Sequence, residues 1–188
     1  NGNVLTGVTL AGGEKIMSNA VVLACGHSAR DTYASLLKLG VGIEAKPFAI
    51  GVRIEHPQEL IDKAQYGDFA GHPRLGAADY ALVHHTPDKS RTAYSFCMCP
   101  GGVVVAAASE TGGVVVNGMS MYRRDSGIAN SAIVVNVGPQ DFGTDPLAGV
   151  EFQRHYEKLA FRAGGCGYKA PAQNVGSFLK RLPPDLQC

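Results

Sequence analysis

The sequence of 188 residues has no tryptophan, few charged residues and no long apolar run. Charged residues make up only 18% of the chain and hydrophobic residues 45%, which excludes an intrinsically disordered protein. The longest continuous apolar runs, residues 20–25 and 103–108, are far shorter than the ~20 residues that a membrane-spanning helix needs. We therefore expect a folded protein with no membrane partner.

An excess of charge of one sign is also missing. The chain has 17 basic and 16 acidic side chains, a formal net charge of +1, and this balance gives no basis for binding nucleic acid. With seven Tyr, seven Phe and no Trp, an aromatic platform for single-stranded nucleic acid is not favoured either. We expect no nucleic-acid partner.

The cysteines do not form the pattern of a secreted disulfide scaffold. Their number is odd and their spacing is scattered, which favours a reduced, cytoplasmic protein. A tetrahedral zinc site would need a second pair of ligands besides Cys97 and Cys99, and the spacing of His72, His84 and His85 matches no ligand pattern, so we predict no metal site. The five cysteines are Cys25, Cys97, Cys99, Cys166 and Cys188.

An initiator Met and a nucleotide-binding motif are also missing. The chain begins Asn1-Gly2 without an initiator Met, from which we expect a piece of a longer polypeptide. No Walker A motif occurs, and the one match to G-x-G-x-x-A, residues 165–170, follows a predicted helix instead of a strand. We interpret residues 165–170 as a helix end and turn.

Glycine is abundant, at 24 of 188 residues, and predicts many tight turns. Residues 4–17 are typical of a hairpin with a Gly-Gly turn, and residues 20–25 of a buried strand of the parallel kind. A helix follows, with Ser28 and Asp31 as a capping box and its end at Gly40.

The middle of the chain has the pattern of a β-rich block. We predict strands over residues 48–54, 80–84, 92–97, 103–108, 114–117 and 132–137, and helices over residues 58–64, 147–163 and 171–180. The predicted fold class is α+β, with a β-rich inserted domain, either an antiparallel sheet or a partial barrel, and flanking helices. This domain is attached to the remnant of an α/β domain.

Two polar segments are candidate binding sites. In the first, Cys97 and Cys99 precede a Pro-Gly-Gly turn whose glycines, Gly101 and Gly102, suit close backbone approach to a flat ligand. Packing of both cysteines as small hydrophobic residues is favoured over direct thiol chemistry, which stays open as an alternative. The second segment contains Asn117, Ser120 and Arg124 at the end of an apolar strand; a solvated turn explains it equally well.

Several longer runs resemble a known family. Residues 21–33, VVLACGHSARDTY, resemble the second flavin-contact motif of two-dinucleotide-binding flavoproteins, where a buried strand ends against the FAD. The remaining runs are similar to a largely uncharacterised bacterial family of FAD-dependent dehydrogenases, or NAD(P)/FAD-dependent oxidoreductases. These runs are residues 46–57 (KPFAIGVRIEHP), 75–80 (LGAADY), 94–102 (YSFCMCPGG) and 117–120 (NGMS).

The resemblance implies an interior fragment of such an enzyme, because the family's N-terminal Gly-rich fingerprint is missing. Residues 1–45 would be the end of the FAD-binding domain, 46–145 the inserted substrate-side domain, and 146–188 a helical return toward the FAD domain.

By the same resemblance, Cys25, Gly26 and His27 would lie near the FAD. Residues Cys97, Cys99, Gly101, Gly102, Asn117, Ser120 and Arg124 would face the flavin or substrate.

The implied function is therefore that of an FAD-dependent oxidoreductase acting on a small molecule, with the redox chemistry at the flavin. NAD(P)H is a second candidate cofactor, and the implied partner is the rest of the same polypeptide. The isolated fragment is expected to be inactive, and no residue is assigned as catalytic acid or base. The alternative is a non-catalytic binding or oligomerisation domain.

Overall fold

The structure, a computed structural model, describes residues 4–183 and 186–187. It is a mixed α+β arrangement built around one four-stranded antiparallel sheet. The strands are β1 (Gly7–Thr9), β2 (Lys15–Met17), β3 (Phe48–Pro57), β4 (Val83–His85), β5 (Thr92–Cys99), β6 (Gly102–Ala107), β7 (Val115–Ser120), β8 (Ile128–Val137), β9 (Pro171–Ala172) and β10 (Leu186–Gln187). The helices are α1 (Arg30–Lys38), α2 (Gln58–Tyr66), α3 (Pro139–Phe142), α4 (Ala148–Ala163) and α5 (Val175–Leu179), and a 3-10 turn covers Gly67–Phe69.

The central sheet has the strand order β3-β8-β5-β4. Strands β3 and β8 pair along their full lengths, from Phe48 opposite Val137 to Pro57 opposite Ile128. Both strands are rich in Val and Ile, which suit a pleated and half-buried surface. Gly51 is required in this pairing, because a Cβ at that position would lie 1.9 Å from the Ile133 carbonyl oxygen.

A two-stranded ribbon formed by β6 and β7 packs on this sheet. The pairing of the β6–β7 ribbon runs from Gly102 opposite Ser120 to Ala107 opposite Val115. The backbone N–H of Val104 donates to Glu55 Oε1 on β3 at 2.7 Å, which fastens the ribbon to the sheet. The β-rich block therefore consists of a sheet and a covering ribbon.

Helix α4 packs on the end of the sheet where β3 begins and β8 ends. The Phe48 ring on β3 stacks on Phe142 of α3 with centroids 5.2 Å apart, and Phe152 of α4 lies 6.1 Å from Phe48 and 5.7 Å from Phe142. Aromatic pairs at these separations contribute about 0.5–1.5 kcal/mol each beyond the area they bury. The three rings thus join sheet, α3 and α4.

Much of the predicted fold is confirmed. The α+β class, the antiparallel pairing, the hairpin with its Gly-Gly turn and the end of α1 at Gly40 are all present. Four strands are longer than predicted: β3 continues to Pro57, β5 to Cys99 and β7 to Ser120, and β8 begins at Ile128. The strand predicted over residues 80–84 is the three-residue β4. The predicted helix over residues 171–180 is instead a two-residue strand and the short helix α5.

The predicted buried strand over residues 20–25 is wrong for this structure. The segment has no regular secondary structure, and the side chains of Val22 and Leu23 are 90% and 61% exposed. A parallel strand needs neighbouring strands to pair its backbone groups, and none of the described strands pairs with this segment. The predicted Ser28 cap is also wrong, because Ala29 precedes α1 and no side chain caps it.

The accessible surface of the chain is unusually large. It measures 13275 Å², against about 8,600 Å² for a compact monomer of 19.7 kDa. Large apolar side chains near the N-terminus contribute to it, among them Val4 at 74% exposure and Met17 at 72%. None of the described helices is long and apolar enough to cross a membrane.

The close approach of β3 to β8 at Gly51 gives a testable prediction. Gly51→Ala should lower the free energy of unfolding by about 1–3 kcal/mol, because the new methyl group forces the two backbones apart. Gly76→Ala is the matched control, since a Cβ there meets nothing within 4 Å. Equilibrium denaturant unfolding of both variants measures the difference, and equal midpoints would contradict the close pairing.

Candidate functional site

The first candidate site is a β-bulge in strand β5. Phe96 pairs with Ala132 and Cys99 with Asn130, so the step from Phe96 to Cys99 is one residue longer than the opposite step on β8. Cys97 adopts φ +48°, a left-handed conformation that costs a non-glycine residue roughly 1–2 kcal/mol. In a regular strand, residues i and i+2 face the same side, but this bulge leaves Cys97 exposed and Cys99 buried.

Side chains from two other strands hold the bulge. The Cys97 carbonyl oxygen accepts hydrogen bonds from Arg53 Nη2 at 3.1 Å and from the Cys99 thiol at 3.4 Å. Arg53 Nη1 donates to Asn130 Oδ1 on β8. Asn130 is fully buried, and among the described residues its Nδ2 has no hydrogen-bond partner. We call Arg53, Cys97, Cys99, Gly118 and Asn130 the bulge cluster.

Gly118 of β7 covers the bulge cluster. A Cβ at Gly118 would lie 2.2 Å from Arg53 Nη1, 2.4 Å from Asn130 Oδ1 and 2.6 Å from Cys99 Sγ. Asn117, beside it, accepts a hydrogen bond from the Gly118 N–H at 3.1 Å. The space above the buried polar atoms is therefore filled by ribbon backbone, and Cys97 is the exposed thiol of the cluster.

The Pro100-Gly101-Gly102 turn lies against the segment that follows β7. Gly101 has φ +53°, and a Cβ there would lie 1.8 Å from the Arg124 carbonyl oxygen. Ser120 Oγ donates to the Pro100 carbonyl at 2.8 Å, and a Cβ at Gly102 would lie 2.7 Å from that hydroxyl. The fold thus brings together four predicted site residues from two separate segments, Gly101, Gly102, Ser120 and Arg124. The atoms that approach the two glycines most closely belong to the protein itself.

The segment predicted to lie near the FAD forms an exposed loop before α1. Cys25, Gly26 and His27 are all exposed, and Gly26 has φ +80° with no atom within 4 Å of an added Cβ. The Tyr33 hydroxyl donates to the Gly26 carbonyl at 2.9 Å and fixes the loop on the first turns of α1. Residues 25–28, the 25–28 loop, thus present an open backbone surface.

An ionic cluster around the buried Arg30, which the sequence did not indicate, lies beside this loop. Arg30, the first residue of α1, is 5% exposed. Its guanidinium donates to both oxygens of Glu157, at 2.6 and 2.9 Å, to Glu110 Oε2 at 2.7 Å and to Gln153 Oε1 at 3.0 Å. Arg154 binds the same Glu110 through two hydrogen bonds of 2.6 and 2.8 Å. These five residues form the Arg30 clamp.

The electrostatics of the Arg30 clamp follow from this pairing. Hydrogen bonds from Arg154, and then from Arg30, lower the pKa of the Glu110 carboxyl to about 2. The hydrogen bond to Glu157 is the main reason why the pKa of Arg30 is raised, against the opposing effect of burial. Charges in a site with little water persist only when they are paired and hydrogen-bonded, so each member of the clamp needs its partners.

Only a weak sequence signal pointed to the Arg30 clamp. Gln153 and Glu157 stand four residues apart, which places them on one face of α4. Nothing in the sequence connects that face with Arg30 or Glu110, which lie more than forty residues away along the chain. The contact is decided by tertiary packing.

Two clefts of the described surface are lined by residues other than the predicted site residues. A cleft of about 230 Å³ lies beside the Arg30 clamp, and one of about 500 Å³ lies over α3 and the start of α4. Within residues 4–183, no group of three or more His, Cys, Asp or Glu side chains is arranged to hold a metal ion. The predicted flavin and substrate contacts therefore stay predictions.

Removal of Arg30 should destabilise the protein strongly. Arg30→Met leaves Glu157 buried without a counter-charge, and we expect a loss of about 3–5 kcal/mol in the free energy of unfolding. Arg91→Met is the matched control, because the Arg91–Asp141 pair is more exposed, with 39% and 18% of the two side chains accessible. Breaking it should cost much less, because solvent screens the charges of an exposed pair. Equal losses in denaturant unfolding would contradict the clamp's burial.

The lowered pKa of Glu110 predicts that the free energy of unfolding falls at acidic pH. A carboxyl whose pKa is lower in the folded state stabilises it fully above the ordinary value of 4.5, and this contribution is lost as the pH falls toward the folded pKa of about 2. The free energy of unfolding should therefore fall across that window, and less so in Glu110→Gln. Glu59→Gln, which removes a 72% exposed carboxyl, is the control and should retain the wild-type fall.

Comparisons with known proteins agree with the resemblance in the sequence. A protein family described as "FAD-dependent protein, C-terminal domain-like" matches residues 47–186. An uncharacterised protein of Clostridium beijerinckii is 61% identical over 169 residues, which cover 89% of this chain and 32% of that protein. The chain thus spans about a third of the length of this relative.

Proposed function

This chain belongs to the family described as FAD-dependent protein, C-terminal domain-like, and from that premise we propose that it is part of an FAD-dependent oxidoreductase of the dehydrogenase type. The observation that supports this most is the family match over residues 47–186, which includes the sheet, the ribbon and α4. When bound, the flavin supplies the transfer of hydride or electrons, and the protein orients it. The substrate is a small molecule.

The 25–28 loop is the proposed contact to FAD. An exposed glycine with free space above it lets backbone approach a planar group closely, so Gly26 and its neighbours Cys25 and His27 fit one wall of a flavin site. The described residues do not close around this loop, and the other walls are proposed to come from the remaining polypeptide. FAD binding by residues 1–188 alone is therefore weak or lacking.

The Cys97–Arg124 region is the proposed flavin or substrate side of the inserted domain, with Cys97, Cys99, Gly101, Gly102, Asn117, Ser120 and Arg124 as its residues. Strained backbone such as that of Cys97 and bulges such as that of β5 are frequent next to functional sites, which supports this assignment. The separation of the exposed Cys97 from the buried Cys99 argues against a thiol redox pair. NAD(P)H is a proposed second cofactor.

The rest of the same polypeptide is the proposed partner. The chain exposes about 13275 Å², and the relative from Clostridium beijerinckii is about three times as long as the matched part. The exposed apolar side chains of residues 4–23 suit an interface inside one protein. In this proposal, residues 1–45 belong to the FAD-binding domain, residues 46–145 to the inserted domain and residues 146–188 to the helical segment that returns toward the FAD-binding domain. A non-catalytic oligomerisation domain would use the same apolar surface and is the second candidate.

The proposal predicts where flavin is found. The longer polypeptide that contains this chain should purify with flavin absorbance at one FAD per chain, whereas residues 1–188 alone should stay colourless. A longer protein that stays colourless after addition of FAD would contradict the proposed function. Concentration-dependent self-association of the colourless longer protein, followed by sedimentation, would favour the oligomerisation domain.

A pair of glycine variants tests the 25–28 loop. Gly26 and Gly40 both have φ +80° and free space around an added Cβ, so Gly26→Val and Gly40→Val introduce the same backbone strain. In the longer polypeptide, Gly26→Val should weaken FAD binding at least tenfold by fluorescence titration, because the valine side chain occupies the flavin's place. Gly40→Val should bind FAD as the wild type does, and equal losses in both variants would contradict the contact.

A further inference from the structure

The 25–28 loop and its helix are fastened to the β6–β7 ribbon at two points. The Ser28 hydroxyl lies 3.2 Å from the Ser109 hydroxyl, and Arg30 Nη1 donates to Glu110 at 2.7 Å. Ser109 and Glu110 lie just after β6, in the connection to β7. These contacts cross about eighty positions of sequence, and the Arg30 side chain is 4% exposed.

We propose that the Arg30 clamp is a positioning device, which holds the 25–28 loop at a fixed position relative to the β6–β7 ribbon. It thereby fixes the loop that faces the cofactor relative to the candidate substrate side. This inference rests on the proposed function. Arg30 is a positioning residue, because it acts through the loop and touches neither cofactor nor substrate.

The geometry of the guanidinium explains why an arginine stands at this position. Arg30 uses its planar fork to bind both oxygens of Glu157 on α4, while Nη1 also binds Glu110 in the ribbon connection. Three elements are thus joined at one rigid group, which leaves α1 little freedom to rotate or slide. Since Tyr33 of the same helix holds the Gly26 carbonyl, the loop follows α1.

The ribbon links the clamp to the Cys97–Arg124 region. At one end of the ribbon, β6 begins at Gly102 and β7 ends at Ser120, and both residues lie in that region. At the other end of the ribbon, the chain continues from β6 into Ser109 and Glu110. Six residues of strand span about 20 Å. One rigid ribbon therefore connects the open backbone at Gly26 with the bulge cluster and its neighbouring turn.

Arg30→Lys in the longer polypeptide is the first test. Lysine keeps the positive charge and loses the planar fork, so the loop should lose its fixed position. We expect FAD binding to weaken about tenfold, with a changed visible circular dichroism of the bound flavin and a shifted reduction potential. Arg91→Lys is the matched control, because it makes the same exchange in the exposed Arg91–Asp141 pair, and it should leave all three readouts unchanged.

A double-mutant cycle on the two serines is the second test and does not depend on the stability of Arg30→Lys. Ser28→Ala and Ser109→Ala both remove the exposed hydrogen bond between the two hydroxyls, and Ser28→Ala also removes a 3.5 Å contact with His27 Nε2. Each should change the flavin's circular dichroism, and the double variant should change it no further than Ser28→Ala alone. Ser126→Ala, an exposed serine elsewhere, is the control.

The outcomes separate this inference from the proposed function. If the wild-type longer protein binds FAD and every variant of Arg30, Ser28 and Ser109 shows wild-type affinity, circular dichroism and potential, the clamp has no positioning role. Additive effects of the two serine exchanges would equally overturn the proposed link. A wild-type protein that binds no FAD overturns the proposed function and, with it, this inference.

Discussion

The buried ion pair of Arg30 and Glu157 is the interaction on which the arrangement of helices, ribbon and N-terminal loop depends. Both side chains are more than nine-tenths buried, where an unpaired charge is strongly unfavourable, so the pair requires the first residue of α1 to lie against α4. Glu110 extends the requirement to the ribbon connection, and the backbone N–H of Val114 binds the Glu157 carbonyl at 3.1 Å. One polar contact thereby sets the relative position of three elements.

The central sheet meets a second constraint, which is steric. At Gly51 the backbone of β8, and at Gly118 the side chains of Arg53, Asn130 and Cys99, approach so closely that no side chain fits. The ribbon closes over buried polar groups instead of an apolar core. Asn130 and Ser131 are among the most deeply buried side chains, while many large apolar residues stay exposed. This exposed apolar surface is the basis on which further polypeptide is proposed as the partner of the chain.

Local patterns predicted the elements well where they concern neighbours in sequence. The alternation of apolar residues and the turn residues gave the hairpin, the antiparallel strands and α4, because turn chemistry and periodicity are short-range properties. Residues 20–25 have the composition of a buried strand, yet a strand forms only beside partners, and the described chain provides none. Of the candidate site, the sequence indicated the Cys97–Gly102 and Asn117–Arg124 segments, which the fold brings together.

The sequence by itself determined the α+β class, the β-rich block and the resemblance to FAD-dependent proteins, since these depend on composition, periodicity and long contiguous motifs. Only the tertiary structure decided that Cys97 and Cys99 point to different environments, because a bulge depends on the register with β8. It alone also decided the Arg30 clamp. Arg30 and Glu157 form a buried pair, extended by the part-exposed Glu110 and Arg154, only after helix and ribbon have been placed. Burial, and not residue type, makes the pairing of Arg30 with Glu157 obligatory.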